Sequence, residues 1–200
     1  MAETWDEVQL IADGFERVYV ELEWYSGPRA GLADVDGRPH YFQGYDWDDA
    51  DEADEYRVWP VNDATVKLER EQWAVFVRWN ERYEAGSVEL GTHPGQGGID
   101  ARYDALSLLL APDRQAPDDA RRLVGELRFD AGARYRIDGL DYWFRWRPST
   151  SSACGQPAPL GCAAVEHGPA AALARHQAGA AQDAQVVGDG RGAEEVSRGE

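Results

Sequence analysis

The last 52 residues of this 200-residue chain contain no aromatic side chain, whereas all eight Trp, nine Tyr and five Phe lie between Trp5 and Trp146. Because aromatic side chains supply much of the buried area of a small core, the sequence predicts one globular domain over 1–148. Residues 149–200 are rich in Ala and Gly and lack hydrophobic periodicity, which predicts a low-complexity, disordered C-terminal tail.

Cysteine is also scarce, because Cys154 and Cys162 are the two cysteines of the chain and both lie in the predicted tail. The domain therefore has neither a disulfide nor a thiolate that could act as nucleophile or metal ligand. The N-terminus lacks the basic flank and apolar run of a signal peptide, and no apolar run approaches the length of a membrane span. We therefore expect a cytoplasmic protein that does not contact membranes.

Positive charge is in short supply: 37 acidic residues face 20 basic ones, for a formal net charge of −17. The predicted domain carries 31 acidic and 17 basic residues, hence −14, and the tail contributes the remaining −3. Such a surface repels phosphate backbones, which argues against nucleic-acid binding, and it attracts basic proteins. The basic residues form no long stripe in the sequence. Their only local clusters are the short pairs Arg121-Arg122, Arg134-Arg136 and Arg145-Arg147.

One N-terminal segment has the alternation of a half-buried strand. Over 17–24, apolar and polar residues alternate, and successive side chains of a β-strand point to opposite faces. The pattern therefore predicts that Glu21 lies on the polar face of this strand. The predicted apolar face consists of Val18, Val20, Leu22 and Trp24.

Two Asp-Gly pairs predict tight hairpin turns, because Asp-Gly supplies the two positive φ angles of a type I′ turn. The first pair is Asp36-Gly37, and the second is Asp138-Gly139 within a three-strand meander over 123–146. These turns predict that Val35 lies opposite Arg38, Ala33 opposite His40, Tyr135 opposite Tyr142, and Ile137 opposite Leu140.

Helical spacing of apolar residues predicts a Trp-rich helix over 68–85 and a shorter helix over 99–110. Together with the strands, these helices define an α+β domain. We expect a curled antiparallel sheet, with a small open barrel as a variant, that packs against the Trp-rich helix and has the second short helix beside it.

An acidic loop over 46–55 suggests a calcium site but does not fit one. An EF-hand loop starting at Asp46 would need Gly at position six, where Asp51 stands, and Glu at position twelve, where Arg57 stands. A looser divalent site is the alternative to a solvated, charged loop, and we expect no cofactor or resident metal. The interface candidates in this loop are Trp47, Asp48, Asp49 and Asp51.

The domain lacks a recognisable catalytic motif. Its histidines are His40 and His93, and the sequence contains no Gly-x-Ser-x-Gly, no His-Glu-x-x-His and no phosphate-binding Gly-rich loop. We expect His40 to be a structural residue on a strand face and His93 to cap or pack a loop before Pro94. No catalytic residue is assigned, and the sequence favours a protein that is not an enzyme.

The segment 24–31 presents an Arg on a stiffened turn. Gly27 and Gly31 permit tight backbone turns and Pro28 restricts one of them, so Arg29 would be displayed next to Trp24 and Tyr25. An Arg held in this way suits a carboxylate or phosphate ligand. The alternative is structural, with Arg29 paired to a nearby carboxylate such as that of Asp34.

Three segments together carry a resemblance: Trp-Tyr-Ser-Gly-Pro-Arg-Ala-Gly at 24–31, Pro-His-Tyr-Phe at 39–42, and the Trp-rich stretch 73–79. This combination resembles a group of small, uncharacterised bacterial proteins that have a Trp-Tyr-x-Gly-Pro-Arg-x-Gly turn, a hairpin ending near His-Tyr, and a Trp-rich helix. The resemblance covers residues 15–147. It implies no activity and no catalytic residue.

Three functional hypotheses follow from the sequence. The first is an acidic cytoplasmic protein-interaction module, an immunity-type or regulatory partner of a basic protein. The alternative is a small-ligand-binding protein or enzyme whose pocket includes Tyr25, Arg29 and His40. A second alternative is a mimic of nucleic-acid charge that displaces DNA from a DNA-binding partner.

Overall fold

The computed structural model describes residues 3–44 and 55–149 of the chain. The described residues do not include the interface candidates of the acidic loop, Trp47, Asp48, Asp49 and Asp51, or the predicted tail beyond Ser149. The strands are β1 Thr4–Trp5, β2 Glu16–Trp24, β3 Pro28–Val35, β4 Arg38–Gly44, β5 Glu55–Pro60, β6 Arg121–Asp130, β7 Tyr135–Arg136, β8 Gly139–Leu140 and β9 Tyr142–Pro148. The helices are α1 Glu7–Ala12, α2 Asp63–Glu84 and α3 Ala101–Leu110, with 3-10 turns at Leu90–Thr92 and Pro94–Gln96.

Six antiparallel strands close into a barrel in the order β6-β5-β4-β3-β2-β9, because β9 pairs with both β2 and β6. The short β1 adds to β6 in parallel, outside the closed ring. The predicted α+β class is confirmed, and the barrel is closed rather than open. The ring closes through the pairing of β9 with β2 at Glu16 and Arg17 and with β6 over seven residue pairs.

Aromatic side chains fill the barrel interior. Phe42 on β4 lies with its ring centroid 5.2 Å from that of Phe144 on β9, although these two strands are not neighbours. Tyr56 on β5 contacts Trp146 on β9 in the same way, at 5.7 Å. Such contacts form across the inside of the barrel, so aromatic side chains pack its interior.

Two glycines make room for these rings. A Cβ atom at Gly125 would lie 2.8 Å from the Phe144 ring, and one at Gly31 would lie 2.6 Å from the Phe42 ring. Both distances are well below van der Waals contact, so any side chain at either position would collide with the aromatic core.

The first Asp-Gly turn has the predicted conformation. Asp36 and Gly37 have φ angles of 54° and 71°, and both predicted cross-strand pairs, Val35 with Arg38 and Ala33 with His40, are confirmed. The prediction for the second turn was wrong, because the turn lies one residue earlier in the chain than predicted. Tyr135 pairs with Leu140 and Arg136 with Gly139, so Asp138-Gly139 does not form the two central residues of the turn.

Helix α2 covers the outer face of the barrel and begins earlier than predicted. The Asn62 side chain accepts a hydrogen bond from the Thr65 N–H at 2.9 Å and caps the helix, which therefore starts at Asp63 instead of Leu68. The short helix α1, capped by Asp6, was not predicted. Within the described residues, no helix combines the length and the apolar character that crossing a bilayer requires.

A buried ion pair fastens the segment after α3 to α2. The guanidinium of Arg114 donates to both carboxylate oxygens of Glu69, at 2.7 and 2.6 Å, and the Glu69 side chain is fully buried. The Tyr41 hydroxyl of β4 donates to the same carboxylate at 2.5 Å. A bidentate pair with an added donor satisfies a buried charge, so Glu69 joins helix, barrel and loop at one point.

Strand β2 is irregular where it pairs with β3. Val18 lies opposite Ala33 and Val20 lies opposite Leu32, so two steps along β2 correspond to one step along β3. This is a β-bulge, and a second one follows between Glu21 and Glu23. Because opposing residues share a face, each bulge shifts the alternation of β2 by one residue.

The bulge turns Glu21 inward. Glu21 lies opposite Gly31, and Gly31 lies opposite Phe42, whose ring points into the barrel. The prediction that Glu21 belongs to the polar, solvent-facing side of the strand is therefore wrong: its side chain is 3% exposed. A Cβ at Gly31 would lie 2.2 Å from the carbonyl oxygen of Val20, so the bulged backbone requires glycine at its partner.

We expect Gly31→Ala to lower the free energy of unfolding by about 2–4 kcal/mol, because its methyl group collides with the Val20 carbonyl and the Phe42 ring. Urea denaturation of the full chain measures the change. Gly91→Ala is the matched control, because a Cβ at Gly91 meets no atom within 4 Å, and it should change stability by less than about 0.5 kcal/mol. Equal stability of the two variants would contradict the steric argument.

Candidate functional site

A cleft lies between the second half of β2 and helix α2, and we call it the β2–α2 cleft. Its cavity has a volume of about 40 Å³, enough for a few water molecules or for one end group of a larger ligand. Strand, helix and loop each contribute side chains to it. The main lining residues are Glu21, Trp24, Gln72, Trp73, Phe76, His93 and Tyr103.

Glu21 lines this cleft, and its carboxylate is buried with weak partners. Its Oε1 receives contacts of 3.4 Å from Arg134 Nη2 and from the Tyr135 hydroxyl. Its Oε2 is buried without a hydrogen bond of normal length, and the Tyr142 hydroxyl, also buried without a partner, faces the same carboxylate. Burial raises the pKa of Glu21 to about 6, although the nearby charge of Arg134 acts in the opposite direction. A carboxyl group with this pKa is mainly ionised at pH 7 and exchanges its proton near neutrality.

Glu21 differs from the buried carboxylates that serve the fold. Glu69 receives three hydrogen bonds of 2.7 Å or less from Arg114 and Tyr41. Asp130 receives bonds of 2.7 to 2.8 Å from Gly132, Arg136 and Trp143. The domain thus satisfies its structural carboxylates closely, whereas the contacts of Glu21 are long and one of its oxygens has no partner.

Aromatic rings hold the cation next to Glu21. The Arg134 guanidinium lies 4.4 Å from the Trp24 ring centroid and 5.0 Å from that of Tyr135. The Tyr142 ring lies 5.4 Å from Trp24, and burial together with the Glu21 charge raises the pKa of the Tyr142 hydroxyl well above its ordinary value. These cation–π contacts hold Arg134 along the aromatic wall, where its guanidinium reaches the Glu21 carboxylate at 3.4 Å.

The imidazole of His93 presents a hydrogen-bond donor. Its Nδ1 accepts a hydrogen bond of 3.0 Å from the Gly95 N–H, so in the neutral ring the proton resides on Nε2. This Nε2 is buried without a partner. Burial lowers the pKa of His93, which keeps the ring neutral at pH 7. The Trp79 ring packs edge-on against it, with centroids 4.4 Å apart.

Two further polar side chains that line the cleft, Gln72 and Trp73, have structural partners. Gln72 donates to the Ser107 hydroxyl at 2.6 Å, and the Trp73 indole donates to the Arg136 carbonyl at 2.8 Å. These bonds fix the walls of the cleft. Among the residues that line the cleft, Glu21 and His93 have a buried acceptor, Oε2, and a buried donor, Nε2, without a hydrogen bond.

Two of the residues predicted to bind a ligand lie together on the β2–β3 turn. Arg29 Nε donates to the Tyr25 carbonyl at 2.9 Å, and the Arg29 side chain also lies against Gly44. The Tyr25 side chain is 62% exposed. Trp24, the third candidate of this segment, lines the β2–α2 cleft.

His40 does not join Tyr25 and Arg29. It lies opposite Ala33, four residues along β4 from Gly44, and it lines a separate cavity of about 190 Å³ beside Trp59 and Pro60. Its Nδ1 is 2.8 Å from the carbonyl oxygen of Arg38. The structure therefore does not bring the three residues of the predicted pocket to one place.

Sequence reasoning missed both Glu21 and His93 as site residues. The alternation of β2 assigned Glu21 to the solvent face, and a β-bulge leaves no mark in that pattern. His93 was predicted to cap or pack a loop, and its bond to Gly95 confirms the capping role, because the ring caps the turn Pro94–Gln96. The one local feature in the sequence that could have indicated the bulge is Gly31, because a glycine within a strand often marks a place where another backbone comes close.

Comparison with protein-family models, with curated protein sequences and with solved structures gave no match. The resemblance to small bacterial proteins therefore stays a prediction. Among residues 3–44 and 55–149, no three His, Cys, Asp or Glu side chains form a group that could hold a metal ion. The chemistry of the cleft is that of one acceptor, one donor and aromatic walls.

We expect Glu21→Gln to stabilise the domain at neutral pH. The folded pKa of about 6 exceeds the ordinary 4.5, so the folded state binds the proton more tightly, and the native protein loses stability as pH rises through this interval. The loss amounts to about 2 kcal/mol, which the Gln variant avoids. Urea denaturation at about pH 4.5 and pH 7.5 measures it. A difference between the two proteins that does not grow with pH would contradict the burial of an ionised Glu21.

Proposed function

We propose that this domain is a small-ligand-binding protein and that its ligand enters the β2–α2 cleft. The observation that carries the proposal is that two residues lining one aromatic cavity, Glu21 and His93, each have a buried polar atom without a hydrogen bond, Oε2 and Nε2. Buried polar groups without partners are rare in folded proteins, and they cluster at functional sites. A ligand that satisfies both atoms would recover the cost of their burial.

The chemistry of the two atoms defines the end group of the ligand. Glu21 Oε2 accepts a hydrogen bond and carries negative charge at pH 7, so it favours an N–H donor, above all a charged one. His93 Nε2–H donates and therefore needs an acceptor. The rings of Trp24, Trp73 and Phe76 favour a cationic or planar group next to the donor. Amidines, guanidines and primary amides match these requirements.

Ligand-observed NMR with a set of small amidines, guanidines and amides tests the proposal on the full chain. We expect saturable binding that Glu21→Gln weakens at least about tenfold, because the charge-assisted hydrogen bond is lost. Glu71→Gln is the matched control: it removes the same charge from an exposed carboxylate on α2 that pairs with Arg102. The control should bind like the native protein.

The pH dependence gives a second readout of the same binding. Since Glu21 has a pKa of about 6, cationic probes should lose affinity as pH falls below this value and the carboxylate becomes protonated. Binding that does not change between about pH 5 and pH 7.5, or that Glu71→Gln weakens as much as Glu21→Gln, would refute the assignment of the site.

We retain the cytoplasmic protein-interaction module as a second candidate, because the β2–β3 turn exposes an aromatic side chain beside an arginine. Tyr25 is 62% exposed and Arg29 lies next to it. Tyr and Arg are the residue types that dominate binding energy at protein interfaces. The net charge of −14 over residues 1–148 would steer a basic partner towards the domain.

Pull-down of proteins from a bacterial lysate with the full chain tests this second candidate. Capture of a basic protein should decrease strongly for Tyr25→Ser and as the salt concentration rises. Ile137→Ser is a matched control, since Ile137 is 50% exposed and lies away from the turn. Capture that neither salt nor Tyr25→Ser reduces would exclude the turn as an electrostatically steered interface.

A further inference from the structure

The sheet brings together arginines that are separate in the sequence. Strands β6 and β9 pair so that Leu123 lies opposite Pro148 and Val124 opposite Arg147. Strand β6 begins with Arg121-Arg122, and Arg145-Trp146-Arg147 directly precedes Pro148, the last residue of β9. Two short basic pairs therefore meet where β6 begins and β9 ends, and we call this the arginine groove.

The arginine groove has the size of a ligand site. It encloses about 620 Å³, within the range of roughly 300–1,000 Å³ that is typical of small-molecule pockets. Its lining holds three arginines and one aspartate, so it is locally basic on a chain whose net charge is −17. The lining residues are Asp36, Ala120, Arg121, Arg122, Leu123, Trp146, Arg147, Pro148 and Ser149.

The ion pairs of Arg121 and Arg147 use only part of the N–H donors of these two side chains. Arg121 uses Nη2 on Asp36 at 2.9 Å, and Arg147 uses Nη2 on Glu126 at 2.8 Å, while each guanidinium has five N–H donors. Their side chains are 54% and 61% exposed. Glu126 is shared with Arg145 at 2.6 Å, and a shared carboxylate neutralises less than one charge per arginine.

One wall of the groove is a fixed aromatic ring. The Trp146 indole donates to the Asp34 carbonyl at 2.8 Å, and its ring stacks on Phe144 with centroids 4.5 Å apart. Both contacts hold the half-buried ring in place, with Leu123 buried beneath the groove. A ligand with an apolar or planar body could lie against this wall while its oxyanions reach the guanidinium groups.

We propose that the arginine groove binds a small organic anion with two neighbouring oxyanion groups, a diphosphate or a dicarboxylate, on an apolar or planar body. Guanidinium forks recognise both oxyanions with paired hydrogen bonds. A long nucleic acid is disfavoured, because the acidic remainder of the domain repels an extended polyanion. This site is independent of the β2–α2 cleft and shares no lining residue with it.

Titration of the full chain with pyrophosphate and, in a second arm, with citrate tests the proposal and separates phosphate from carboxylate recognition. Backbone amide shifts in two-dimensional ¹H–¹⁵N NMR should change saturably at residues 121–123 and at Trp146, Arg147 and Ser149, and addition of salt should weaken the binding. Arg121→Gln and Arg147→Gln should each weaken it at least about fivefold. Both side chains are more than half exposed, so these variants should fold normally.

The matched control is Arg102→Gln, which removes one exposed, ion-paired arginine from the contact of α3 with Glu71. It should leave binding unchanged, and Glu21→Gln should leave it unchanged as well, which separates this site from the β2–α2 cleft. Three outcomes would overturn the proposal: shifts that do not saturate with either anion, shifts spread over the whole surface, or an equal loss in Arg102→Gln.

Discussion

The close approach of β3 to a bulged β2 is the constraint on which the rest of this structure depends. Gly31 lets the Val20 carbonyl come within 2.2 Å of the position where a side chain would begin. This contact permits the bulges, and the bulges rotate Glu21 from the solvent to the interior face. The backbone irregularity therefore determines which side chain is buried at the upper end of β2, and the polar character of the cleft follows from it.

The filled barrel determines where a ligand can bind. Cross-barrel contacts among Phe42, Tyr56 and Phe144 occupy the interior, and the two candidate sites among the described residues lie where the barrel meets α2 and where β6 begins beside the end of β9. The Glu69–Arg114 pair holds the segment after α3 against α2 and thereby supports the wall opposite β2. The packed rings inside the barrel fix β2, and the buried Glu69–Arg114 pair outside the barrel fixes α2. The β2–α2 cleft therefore lies between two fixed surfaces.

Local patterns in the sequence predicted the elements that local chemistry decides. The α+β class and the pairing around Asp36-Gly37 could be predicted because turn type and periodicity depend on neighbouring residues. Barrel closure, the inward rotation of Glu21 and the meeting of Arg121 with Arg147 depend on strands that are distant in the sequence. No periodic pattern records such pairings, so the candidate site could not be predicted from it.

This domain buries the glutamates Glu69 and Glu21 in two different ways, and the difference is the reason why Glu21 is the candidate ligand-binding group. Glu69 is enclosed by Arg114 and Tyr41 in short bonds, and such an arrangement stabilises a fold without leaving anything for a ligand. Glu21 has a cation nearby as well, but the rings of Trp24 and Tyr135 hold that cation along the wall, 3.4 Å from the carboxylate. A neutral amide at this position would fold at lower cost. Among the described residues, the Glu21 carboxylate is thus held less closely than Glu69, and this difference is what supports the proposal that it binds a ligand.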